Sequence, residues 1–286
     1  MSCSVTTLTS GYFQHYLPIF IYTLRKNVPH VLVKTFHRGP LDSLTNRALD
    51  YLHSEGVNFD LPYENLFEGY PEHTSTTNAL RFMLPVSYFQ QTKYIYITDV
   101  DFVFFDHDPT MDVYYISKLK KWEECYWSRR GPRRETGSED VVKRISAGCF
   151  LATHEWFHQT ETLRARMAEK LMSGDIGKVR EDDEKMLWDI CAGSGLKCPV
   201  AATSGRRKKY KELHLGDFKF DHRWASNKKM RQRINPGNFY KWYRLEEDPI
   251  WKNVVSICCE DENINQIITN VRTYMLKRKA AADARS

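Results

Sequence analysis

The sequence lacks most of the devices that hold a small extracellular scaffold together. Its seven cysteines, Cys3, Cys125, Cys149, Cys191, Cys198, Cys258 and Cys259, are odd in number, include no CxxC pair and are too sparse for a disulfide framework. Long apolar runs are missing too. The stretch Tyr16 to Leu24 is too short to span a bilayer and carries neither a basic flank nor a small-residue cleavage site. The expectation is a protein of the cytoplasm, with peripheral contact as its nearest approach to a membrane. Glycine and proline, 14 and 11 residues of 286, are too few for collagen-like or low-complexity chains, and no internal repeat is visible. Charge of one sign is scarce: the formal net charge of +6 favours an anionic ligand but falls short of a dedicated nucleic-acid binder. What remains is a globular chain long enough to bury a large core and house a full site.

Hydrophobic patterning then supplies an architecture. Ser4 to Leu8 reads as a strand, stopped by Thr9-Ser10-Gly11 before a helical stretch that includes Leu17, Phe20 and Leu24. Val31 to Phe36 reads as a second strand, Leu44 to Ser54 as a helix, and Thr76 to Tyr88 as a helical segment that Pro85 kinks or ends. Tyr94 to Thr98 is a continuous apolar run of the kind found in strands covered on both faces. Further strands are expected near Glu124 to Trp127 and Ile145 to Ala152, and helices over Glu155 to Met172 and Glu184 to Cys191. This alternation predicts an α/β fold with a mostly parallel central sheet flanked by helices. Residues 1–219 form one domain on this reading. Residues 220–286 form an appendage packed on it, closed by an amphipathic helix with Ile264, Ile267, Ile268, Val271 and Met275 on one face.

The chemistry gathers where the central strand ends, at Asp99-Val100-Asp101. Side chains alternate along extended backbone, so the two aspartates are expected to point the same way. Ligands of open α/β sheets sit at the carboxyl ends of the strands, and paired carboxylates there suit a hard divalent cation that neutralises a diphosphate. Aspartates also cap turns, and the motif alone does not separate the two readings.

Its context does more. The runs Asn78-Ala79-Leu80-Arg81-Phe82-Met83-Leu84-Pro85 and Lys93-Tyr94-Ile95-Tyr96-Ile97-Thr98-Asp99-Val100-Asp101 resemble the core of GT-A-fold glycosyltransferases, especially family 8, which includes glycogenin and bacterial lipooligosaccharide galactosyltransferases. Ser146-Ala147-Gly148 resembles that family's small-residue strand beside the donor sugar, and Glu181-Asp182-Asp183-Glu184 its later acidic helix start. His214-Leu215-Gly216-Asp217-Phe218-Lys219 resembles its C-terminal element, although one residue, not the usual two, separates His214 from Gly216. The likeness spans about residues 4 to 219.

The resemblance implies a GT-A catalytic domain. Its activity would be metal-dependent transfer of a sugar from a nucleotide-diphospho-sugar donor to a hydroxyl of a glycan, a lipid-linked glycan or another anionic acceptor. It further implies Asp99, Asp101 and His214 as ligands of Mn²⁺ or Mg²⁺, with Asp99 bridging to the donor ribose. Arg81 and Lys219 would face the diphosphate, Tyr12 the nucleobase, and Ser146, Ala147, Gly148 and Gly216 would line the donor pocket. Asp182 or Asp183 would take the acceptor's proton or stabilise the ring cation; both acids also suit a plain helix N-terminus.

Two other signals compete. His154-Glu155-Trp156-Phe157-His158 spells HExxH, which on a helix can hold zinc for hydrolysis, but it sits in a first helical turn and lacks the extended HxxGxxH continuation. Two basic clusters, Arg129, Arg130, Arg133, Arg134 and then Arg206, Arg207, Lys208, Lys209, Lys211, flank Trp127 and Tyr210. They raise a sugar transferase acting on nucleic acid as an alternative, against the reading of two solvated loops. Cys258-Cys259 is read as packing.

Overall fold

Alternation along the apolar run Tyr94–Thr98 builds two buried layers, one on each face of a sheet. Tyr94 and Tyr96 join one hydrophobic cluster, Ile95 and Ile97 the other. The computed structural model describes residues 3–72, 74–105, 116, 119, 125–128, 133–134, 143–145, 147–174, 183–196, 212–218 and 236–283. In chain order these form β1 (Cys3–Ser10), α1 (Leu17–Asn27), β2 (Leu32–Arg38), α2 (Ser43–Ser54), α3 (Thr74–Leu80), β3 (Tyr94–Thr98), β4 (Phe102–Phe104), β5 (Tyr126–Ser128), β6 (Arg133–Arg134) and β7 (Lys143–Arg144). There follow β8 (Cys149–Thr153), α4 (His154–Gln159), α5 (Glu161–Ser173), α6 (Asp183–Gly193), β9 (Glu212–His214), α7 (Pro236–Glu247), α8 (Pro249–Cys258) and α9 (Glu262–Asp283).

The main sheet has the order β2-β1-β3-β8-β5. β1 is parallel to both β2 and β3, while β8 is antiparallel to β3 and β5, so four of the five strands run the same way. Helices α1, α2, α8 and α9 cover the face that buries Val5, Tyr96 and Leu151. Helices α3 to α6 cover the face that buries Leu8, Ile97 and Phe150. The fold is therefore α/β, as the strand and helix alternation requires.

The apolar stretch ahead of β2 is a core helix. Leu17 to Leu24 are all buried in α1, whose first turn carries Pro18. No described helix is long and apolar enough to cross a membrane. The stripe of α9, Ile264, Ile267, Ile268, Val271 and Met275, is at most 1% exposed and shares its cluster with α1 and α2. Burial at about 1.5–3 kcal/mol per large apolar side chain makes this a substantial anchor.

Two helical expectations are broken into shorter pieces. The segment expected over Thr76–Tyr88 closes at Leu80, where the amides of Phe82 and Met83 bond back to Ala79 and Leu80 in tight turns. A separate 3-10 turn, Val86–Phe89, follows Pro85. The helix expected over Glu155–Met172 divides at Thr160, whose hydroxyl donates to the carbonyl of Trp156 at 2.7 Å.

Candidate functional site

β3 delivers the acidic pair, but by a turn and not by strand alternation. The strand ends at Thr98, Asp99 to Asp101 form the link, and β4 begins at Phe102. The expectation that extended backbone aligns the two aspartates is thus corrected: the chain turns between them and still brings both carboxylates to one place. β4 pairs antiparallel with β9, setting Phe102 opposite His214, and the amide of Leu215 donates to the carbonyl of Asp101 at 2.7 Å. A short ladder between segments far apart in sequence therefore delivers the imidazole to the carboxylates.

One ligand atom each from Asp99, Asp101 and His214 lies within 4.8 Å of the others, and this is the one such group of three or more among the described residues. His214 Nε2 is 3.0 Å from Asp101 Oδ1 and 3.8 Å from Asp99 Oδ2. Asp101 Oδ1 is nevertheless buried without a hydrogen bond among the described residues, because the imidazole contact lacks hydrogen-bond geometry. A buried carboxylate oxygen left this way costs free energy unless a further group satisfies it. Two glycines hold the space open. A Cβ on Gly148 would stand 2.5 Å from Asp99 Oδ2, and one on Gly216 would collide with Asp101 Oδ2 and stand 3.2 Å from His214 Cε1. Two carboxylate oxygens and one imidazole nitrogen in an uncrowded cradle form a donor set that fits a divalent cation of the Mn²⁺ or Mg²⁺ type.

Arg81, expected to face phosphate, lines the cleft and is itself paired with two carboxylates. Its side chain is 2% exposed; Nη1 donates to Asp99, and Nη2 donates to Asp183 Oδ2 at 2.6 Å. A buried guanidinium needs compensating charge, and these two carboxylates supply it. Burial works against ionising Asp99, but Arg81 first and His214 second outweigh it and hold its carboxyl below the ordinary carboxylate range. The same pairing keeps Arg81 charged against an equal pressure from burial.

The cluster opens on a cleft of about 340 Å³ at the carboxyl ends of β1 and β3, lined among others by Thr9, Ser10, Phe13, Asn78, Ala147 and Glu184. Ala147 and Gly148 line it at the approach to β8. Tyr12 does not line the cleft; it stacks on Phe13, with ring centroids 4.2 Å apart, and Phe13 presents the aromatic face. Thr9, Ser10 and Phe13 went unassigned from sequence, although the rule that ligands gather at the carboxyl ends of strands points to the end of β1. Ser146, Asp182 and Lys219 lie outside the described residues, as do Arg129, Arg130 and the cluster from Arg206 to Lys211. In the ladder β6–β7, Arg133 stands opposite Arg144 and Arg134 opposite Lys143.

The HExxH segment is corrected to a structural helix. His154 Nε2 donates to the carbonyl of Phe89 at 3.0 Å, and Glu155 Oε1 accepts from Gln159 at 2.8 Å. Trp156 and Phe157 between them are at most 1% exposed, packed under the sheet. His154 Nε2 and Glu155 Oε1 are thus engaged within the fold. Cys258 is buried, and burial raises the thiol of its neighbour Cys259 to about 11, so the pair rests protonated at neutral pH.

No family model matches the sequence, and no curated protein matches it. Among solved structures, the chain is similar to the galactosyltransferase LgtC in complex with donor and acceptor sugar analogues, with TM-score 0.44 and 16% identity over 65% of this chain and 69% of that one. It is also similar to the glycosyltransferase GlyE of Streptococcus pneumoniae TIGR4, with TM-score 0.41 and 16% identity over 64% of this chain and 42% of that one. Mouse xyloside xylosyltransferase 1 gives TM-score 0.38 and 10% identity over 68% and 82% of the two chains.

Proposed function

We propose that the chain is a metal-dependent glycosyltransferase that moves a sugar from a nucleotide-diphospho-sugar to an acceptor hydroxyl. The observation that carries the reading is the convergence of Asp99, Asp101 and His214 at the mouth of a cleft, with Asp101 Oδ1 buried and lacking a hydrogen bond. Asp101 and His214 would hold the ion with Asp99. When bound, the cation would offset the charge that develops on the departing nucleoside diphosphate.

The chain's own residues have complementary tasks. Arg81 keeps Asp99 ionised and oriented, and through its other nitrogen it holds Asp183 in the lining of the same cleft. Asp183, paired with a buried guanidinium, is better suited to stabilising positive charge on the sugar ring than to accepting a proton. Ala147 and Gly148 leave room for the sugar beside Asp99, and Phe13 offers an aromatic face to the nucleobase, with Tyr12 stacked behind it. The acceptor is a glycan or lipid-linked glycan, and the family resemblance would give Lys219 the task of offsetting charge on the diphosphate.

The test is a thermal-shift screen of nucleotide sugars with and without Mn²⁺, followed by donor hydrolysis in the wild type and Asp101→Asn. Stabilisation by one donor class that requires the ion, lost in Asp101→Asn with the fold intact, is the expected result. Full turnover by that variant would reject the reading.

A further inference from the structure

Arg164 is the second buried arginine of this half of the molecule, at 8% exposure, and among the described residues its guanidinium donates to carbonyls and not to carboxylates. From α5 its guanidinium reaches back to the chain immediately after α3. Nε donates to the carbonyl of Phe82 at 2.7 Å, Nη2 to that of Leu84 at 2.7 Å, and Nη1 to that of Phe157 at 3.3 Å. The cation also lies over the rings of Phe157 and Trp156, at 4.7 and 5.6 Å from their centroids.

α3 ends at Leu80, and Phe82 and Leu84 lie in the turn that follows, where no helical amide is available to their carbonyls and Arg164 donates to both. Arg81 occupies the first residue of that turn. Its guanidinium must reach Asp99 on one side and Asp183 on the other from a buried position, so the backbone carrying it has little freedom. The two arginines share an aromatic floor: Arg81 lies 5.1 Å from the Phe82 ring, which meets Phe150 edge-on, and Phe150 meets Trp156.

We infer that Arg164 is a positioning residue for the site: it fixes the Phe82–Leu84 turn so that Arg81 spans Asp99 and Asp183 and the carboxylates keep their convergence. Lysine cannot substitute, because one ammonium cannot serve three carbonyls spread across a planar fork. Burial lowers the pKa of Arg164 to about 10, with Glu161 partly offsetting it, so the charge is held at a cost that simple packing would avoid.

The Mn²⁺ arm of the test rests on the proposed metal reading; a second arm does not. The affinity for Mn²⁺ is measured from the spectrum of the free ion for wild type, Arg164→Lys, Arg81→Lys and the double variant. Exchange of the Arg81 guanidinium protons is followed by NMR in arginine-labelled protein. Arg164→Lys is expected to melt cooperatively, to bind Mn²⁺ about 10-fold more weakly and to speed Arg81 exchange by a similar factor. The double variant should bind no more weakly than Arg81→Lys alone, since both changes act through one contact. Unchanged Arg81 exchange overturns the inference, and so do additive losses of affinity where the wild type binds the ion. If the wild type binds no Mn²⁺, the metal reading falls and the exchange arm alone decides. Should Arg164→Lys fail to fold, Arg164→Gln, which retains donors for one carbonyl, takes its place.

Discussion

Two clusters in this molecule are each built from two aspartates and one histidine, and their geometries differ in an instructive way. In the cleft, Asp99, Asp101 and His214 turn their ligand atoms toward one point. Beside α2, His15 stands between Asp42 and Asp261 with its two ring nitrogens facing opposite ways, Nε2 at 2.6 Å from Asp42 and Nδ1 at 3.2 Å from Asp261. Each of those aspartates also serves a helix start. Asp42 accepts from the amide of Thr45 at 2.8 Å, and Asp261 from that of Ile264 at 2.9 Å. There the histidine braces two helix starts against each other, whereas in the cleft the three ligand atoms face one common space. Composition does not separate a site from a brace; the direction of the lone pairs does.

Removing a carboxylate should therefore have opposite consequences in the two places. Asp101→Asn should reduce Mn²⁺-dependent donor hydrolysis by ~100-fold or more while changing the melting temperature little, read by hydrolysis assay and calorimetry. An equal loss of stability and activity would erase the contrast. Gly216→Ala is a sharper probe because it leaves every ligand in place. The new methyl collides with Asp101 Oδ2, so Mn²⁺ affinity should fall by about 10-fold or more, measured by titration of the metal. Binding at wild-type strength would show that the cradle is not the seat of the ion. In the brace, His15→Ala should cost about 1–3 kcal/mol in denaturant unfolding, from two interrupted polar contacts, one with the partly exposed Asp42, and leave Mn²⁺ affinity within twofold.

The same contrast explains what could be read from sequence. The strand run Tyr94–Thr98 announced itself because burial on both faces leaves only apolar residues, and the aspartates followed it directly. The role of Arg81 was not legible: nothing local says that a guanidinium after a helix will be buried between Asp99 and Asp183, which arrive from other elements. Phe13 and Tyr12 are adjacent in a 3-10 turn, and which ring enters the cleft depends on a rotation that periodicity does not encode. HExxH misleads for the reverse reason, since helical spacing is present but Phe89 and Gln159, neither readable as partners, occupy the polar atoms. Nor was Arg164 legible as the partner of the turn after α3, because its carbonyl contacts join residues some eighty positions apart.

The smallest expected effect lies at a third aspartate, outside both clusters, and separates charge from capping. Asp248 starts α8, accepting from the amides of Ile250 and Trp251 at 2.8 and 3.1 Å, and it pairs with Lys26 of α1. Burial opposes its ionisation, yet Lys26, Tyr22 and the Trp251 amide together outweigh that and lower its pKa. A carboxyl with a depressed folded-state pKa contributes stability above its unfolded value, near 4, and loses it as the pH falls through the folded value. Asp248→Asn keeps the cap acceptor and discards the charge. It should therefore cost about 0.5–1 kcal/mol at pH 7 and nothing once the pH is below the folded-state pKa, so the two unfolding curves converge on acidification. A constant offset across the whole pH range would instead assign the contribution of Asp248 to its hydrogen bonds alone.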